Sequence, residues 1–158
     1  MNSLSRGLAI AAFGVLLVST LTGGCDSGED SGAVMTAGGS YSVRFQTTPD
    51  PLPLNEHFDM VITVEGAGAG AAVATEVSVD ATMPLHGHGM NVLPTVEAQG
   101  DGRFVVEGML FHMPGQWRLV VRVGTGDGAE DAVFEVEVTE QGGRVVGAAR
   151  ARAVTASA

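Results

Sequence analysis

Gln116-Trp-Arg-Leu-Val-Val-Arg-Val123 is the stretch that decides how this chain folds. Trp117, Leu119, Val121 and Val123 fall on one parity, and Arg118 and Arg122 fall on the other. Side chains two apart on an extended chain share a face. The run therefore reads as a β-strand with one side in a core and the other in water. The same period recurs on both sides of it. Val43 and Phe45 alternate with Arg44 and Gln46, and Phe58, Met60, Ile62 and Val64 with Asp59 and Thr63. Val77, Val79 and Ala81 alternate with Glu76, Ser78 and Asp80. Phe104, Val106 and Leu110 oppose Arg103, Val105 and Glu107, and Phe134, Val136 and Val138 oppose Glu135 and Glu137.

Turn residues separate these runs: Pro49-Asp50-Pro51, Gly66-Ala-Gly-Ala-Gly70, Gly100-Asp-Gly102, Met113-Pro-Gly115 and Gly124-Thr-Gly-Asp-Gly128. Gly100-Asp-Gly102 before Arg103 predicts a tight turn. Six or seven short strands in about 100 residues, with no helical stretch, predict an all-β chain with a single immunoglobulin-like antiparallel β-sandwich.

The two ends differ in character. Arg6 precedes an apolar run from Gly7 to Leu21. At about 15 residues it suits an export signal better than the roughly 20 of a comfortable membrane span. It leads into Leu21-Thr-Gly-Gly-Cys25, which resembles the lipobox of bacterial lipoproteins, although Thr22 stands where that motif has leucine. The resemblance implies a signal peptide over residues 1–24 and lipidation of Cys25, the only cysteine. A lone cysteine leaves no internal disulfide. Asp26 resembles an inner-membrane retention signal. Residues 25–40 read as a flexible acidic tether. Residues 140–158, rich in Arg, Ala and Gly, read as a disordered tail.

Eight basic residues, all arginine, against eighteen acidic ones give a formal net charge of −10. That balance argues against nucleic acid, whose phosphates need basic surface.

Chemistry gathers in two segments, Met83-Pro-Leu-His-Gly-His-Gly-Met90 and Met109-Leu-Phe-His-Met-Pro114. They hold three of the four histidines and four of the seven methionines. Imidazole with thioether suits a soft or borderline metal, copper above all. It is also the composition of a methionine-padded core with a few satisfied histidines. Strand alternation puts His86, His88 and Met90 on one face, with Gly87 and Gly89 opposite. Met109, Phe111 and Met113 share a parity that His112 does not, so a bulge is needed for His112 and Met113 to face one ion. Met60, Met83 and Trp117 read as core. His57 reads as a solvated surface residue, as do Asp80, Asp101 and Glu107. The candidate metal ligands are His86, His88, Met90, His112 and Met113.

The same segments, with Pro94-Thr-Val96, Gly100-Asp-Gly-Arg-Phe104 and Leu110-Phe-His-Met-Pro-Gly-Gln-Trp-Arg-Leu119, resemble the YtkA-like domain over residues 41–139. The resemblance implies an extracytoplasmic, membrane-anchored β-sandwich similar in style to FixH-like proteins. It implies a copper-linked role with a copper-handling or oxidase-assembly protein as partner. The residues show no nucleophile elbow and no phosphate loop, so the expectation is a binding protein and not an enzyme. Two readings stand open. One is a copper binder tethered to the envelope through the lipid on Cys25. The other is an immunoglobulin-like interaction module, without metal, that meets an envelope partner through an edge strand or the glycine-rich loops.

Overall fold

Ten strands follow from the alternating runs and their neighbours in a computed structural model that describes residues 31–68, 71–125 and 128–149. They are β1 (Val34–Met35), β2 (Tyr41–Thr48), β3 (His57–Gly66), β4 (Glu76–Met83) and β5 (His88–Gly89). β6 (Thr95–Gly100), β7 (Arg103–Leu110), β8 (Gly115–Thr125), β9 (Gly128–Thr139) and β10 (Gly142–Ala149) complete the set. All pairings are antiparallel. One sheet runs β1-β2-β3-β7-β6 and the other β10-β9-β8-β4-β5. No helix occurs among the described residues. The chain is an all-β protein of two five-stranded sheets, a β-sandwich.

The alternation translates directly into burial. Val43, Phe45, Phe58, Met60, Ile62 and Val64 point inward from one sheet. Val77, Val79, Ala81, Trp117, Leu119, Val121, Phe134 and Val136 point inward from the other. Phe45 and Phe134 meet edge to face across the layers, ring centres 4.9 Å apart. The outer parity carries cross-strand ion pairs at opposed positions: Arg118 with Glu135, Arg122 with Asp131 and Arg144 with Glu137. Met83 and Trp117 lie fully inside, and His57 is exposed.

The turn expected at Gly100-Asp-Gly102 closes the β6–β7 hairpin. Asp101 and Gly102 both take positive φ, 50° and 72°, the backbone of a two-residue type I′ loop. Gly102 is needed for a second reason: a Cβ there would lie 2.3 Å from the Val64 carbonyl oxygen.

Three expectations are corrected. Leu110 does not share the core with Phe104 and Val106. Phe58 pairs with Met109 and Met60 with Val106, so Asp59 faces both Glu107 and Gly108, a β-bulge. Gly108 takes φ 81°, and its N–H donates to Asp59 Oδ1 at 3.1 Å. The extra residue flips the parity, burying Met109 and Phe111 and leaving Leu110 half-buried. The domain also starts before residue 41, because Val34 and Thr36 are buried and β1 pairs with β2. It also continues past residue 139. β10 pairs with β9 from Gly142 to Ala149, so that part of the presumed tail is a strand. Residues 1–24, Cys25 and residues 150–158 lie outside the described residues.

Candidate metal site

β4 ends in a turn over residues 84–87. The Met83 carbonyl accepts from the N–H of His86 at 3.1 Å and of Gly87 at 2.9 Å. Gly87 takes φ 66°, a conformation that costs glycine least. The chain then returns as β5, with Met83 opposite His88 and Thr82 opposite Gly89, and the Met90 N–H reaches the Ala81 carbonyl at 3.1 Å. Opposed residues of an antiparallel pair project on the same side. Met83 is buried, so His88 leans toward the inner side at the sandwich margin, where it stays exposed. Met90, two residues on, packs partly buried against the core. His86 lies in the turn, where the alternation argued from sequence does not operate. The turn itself keeps it beside His88, ring centres 6.3 Å apart.

The second segment is the link from β7 to β8, which carries the chain from one sheet to the other. Both of its ends are fixed. The Asn55 N–H donates to the Phe111 carbonyl at 2.8 Å, and the Trp117 indole N–H donates to the Met113 carbonyl at 2.9 Å. Phe111 is buried, while His112 and Met113 are half-buried. The bulge at Glu107–Gly108 lies upstream of both residues and does not bring His112 and Met113 to one face, and the link itself presents His112 half-buried at the rim.

A line of rings joins the two segments from the interior outward. Phe58 meets Phe111 at 5.2 Å, Phe111 meets Trp117 at 5.0 Å, and Trp117 meets His112 edge to face at 5.4 Å. His112 then meets His88 at 6.4 Å. His112 Nδ1 is shielded from solvent and has no hydrogen-bond partner in the protein. A buried imidazole nitrogen without a partner is uncommon, because desolvation costs about 1–3 kcal/mol when no bond replaces water.

The fold thus makes His86, His88 and His112 successive neighbours, and Met90 and Met113, close to them in sequence, pack half-buried against the core. Met83 and Met109 are fully buried core residues, although Met83 lies opposite His88 across the β4–β5 pair. Two imidazoles bound through nitrogen at about 2.0 Å to one ion would hold their ring centres roughly 5–6.4 Å apart. Both neighbouring pairs fall at the upper end of that range. Among the described residues no three His, Cys, Asp or Glu side chains already converge on one point. A shared ion would draw the exposed His86 and His88 inward toward half-buried His112. Sequence reasoning missed the anchoring of this link by Trp117. It also missed two exposed apolar side chains: Leu85, next to His86 in sequence, is 82% exposed and Leu93 97%.

The chain matches no protein-family model, no curated protein and no solved structure.

Proposed function

We propose that this protein is a membrane-tethered envelope lipoprotein whose YtkA-like, immunoglobulin-like domain binds copper, for delivery or homeostasis, outside the cytoplasm. The ligands are drawn from His86, His88 and His112 with the thioethers of Met90 and Met113. The observation that carries this reading is the partnerless His112 Nδ1 at the inner end of a row of imidazoles spaced 6.3 and 6.4 Å. Histidine with methionine favours copper over zinc, calcium or magnesium, since thioether is a soft donor. His112 is the fixed member, held between two backbone anchors. His86 on the turn and His88 on the two-residue β5 are both exposed, which suits a site open to exchange of its ion.

Copper titration of the protein lacking residues 1–25, in each oxidation state, tests the reading. Changing groups outside the ligand shell already costs about 10–100-fold in metal affinity. The His86→Ala/His88→Ala double variant is therefore expected to bind copper at least ~100-fold more weakly. Equal affinity for the wild type and the double variant would reject the site.

A further inference from the structure

The outer face of the β4–β8 pair carries a groove of about 480 Å³. Its floor comes from both strands, with Ser78 opposite Arg122 and Asp80 opposite Val120. The segment that leaves β5 for β6 walls one side, with Val92 and Pro94 half-buried and Leu93 97% exposed. The charges on this floor are incompletely used. Elsewhere on the same face Arg118 donates to Glu135 at 3.1 and 3.2 Å, and Arg144 to Glu137 at 3.0 Å. Arg122 differs. Its nearest carboxylate oxygen, Asp131 Oδ1, stands 3.6 Å away, an ion pair without a hydrogen bond. Among the described residues nothing accepts from its five N–H donors. Asp80 is exposed and has no hydrogen bond or ion pair among the described residues. It is the diagonal neighbour of Arg122 across the strand pair, a spacing of about 7–8 Å at the backbone. Two opposite charges thus share one groove without meeting.

We propose that this groove binds a free α-amino acid with an aliphatic side chain. Its carboxylate takes paired hydrogen bonds from the Arg122 guanidinium, whose planar fork matches that group. Its ammonium pairs with Asp80. Its side chain lies against Val120 and the wall of Val92 and Leu93, apolar surface around a few placed polar groups. The mixture of charge selects the zwitterion. A ligand with a carboxylate alone would reach Arg122 beside the like charges of Asp80 and Asp131. A ligand with an amine alone would reach Asp80 beside the like charge of Arg122. Only a ligand that carries both signs on one carbon leaves neither protein group opposed. Met90, a proposed copper ligand, also lines the groove, so the two sites are tested apart.

The test titrates leucine into the full-length, copper-free protein in detergent and follows the backbone amides by NMR. Saturable shifts are expected at Ser78 to Asp80 and at Val120 to Arg122. Isocaproic acid lacks the ammonium, isoamylamine lacks the carboxylate and glycine lacks the side chain. Each should bind at least ~10-fold more weakly than leucine, the loss expected when one charged hydrogen-bonding or apolar group is removed. Asp80→Asn and Arg122→Gln, both at exposed positions, should each weaken leucine by a similar factor. The proposal is overturned if leucine gives no saturable shift at these amides. Equal binding of any of the three analogues also overturns it, as does leucine binding that neither variant weakens.

Discussion

At the scale of single residues, His112 and Gly102 show how differently two positions can be constrained. His112 is half-buried, edge to face with Trp117, and its Nδ1 lacks a partner. Replacing it with an apolar residue of similar bulk removes a desolvated nitrogen, so His112→Leu is expected to keep or slightly raise the urea midpoint while lowering copper affinity. A large loss of stability without metal would mean that the nitrogen has a structural partner. Gly102 has no such latitude. Its positive φ and its approach to the Val64 carbonyl both exclude a Cβ. Gly102→Ala should destabilise by more than ~1 kcal/mol in urea unfolding. Glu130 adds a pH dependence. Partial burial pushes its pKa up. Hydrogen bonds from the hydroxyls of Ser40 and Thr36 and the backbone N–H groups of Ser40 and Gly38 outweigh that effect and hold it below its ordinary 4.5. A depressed carboxylate contributes stability above its unfolded value and loses it as pH falls through the folded one. The stability gap between wild type and Glu130→Gln should therefore be open at neutral pH and close in acid. A gap that is constant from neutral to acid pH would contradict this.

At the scale of elements, β10 and the bulge in β7 decide the boundary of the domain and the composition of its rim. β10 covers one edge of β9, and Gly143 is buried against Leu52 and Val138. Truncation after Glu140 is expected to lower the Tm and promote aggregation through the bared edge of β9. Unchanged melting would mean that the strand contributes nothing. The six alternating runs β2, β3, β4, β7, β8 and β9 were legible in the sequence because each buries one parity. β6 was not, since Thr95–Gly100 buries almost nothing, nor was β10, whose Gly and Ala residues carry little apolar signal. The bulge was hidden for another reason. Gly108 looks like any glycine until Asp59 is seen accepting its N–H. That one insertion moved Met109 into the core and Leu110 to the margin. Of the candidate site, the shared inner side of His88 and Met90 followed from parity. The place of His86 did not, because a turn and not a strand carries it.

At the scale of the whole molecule, the sandwich puts the proposed soft ligands at its margin, on the β4–β5 hairpin of one sheet and on the β7–β8 link that crosses between sheets. The β7–β8 link is pinned at Phe111 and Met113, while the β4–β5 turn is held by its own backbone. Trp117→Phe keeps the ring but frees the Met113 carbonyl. It is expected to cost about 1–2 kcal/mol and to weaken copper binding, because the link then loses one anchor. The tether reading has its own check. Cys25→Ser should shift the protein from the membrane fraction to the soluble fraction, and unchanged partition would reject lipid anchoring at that residue. The most direct measurement is X-ray absorption of the copper-loaded, reduced protein, compared with the Met90→Leu/Met113→Leu variant. Imidazole nitrogen together with thioether sulfur around one copper, with the sulfur lost in the variant, is the expected result. A shell of nitrogen and oxygen alone, identical in both proteins, would contradict a mixed histidine and methionine site.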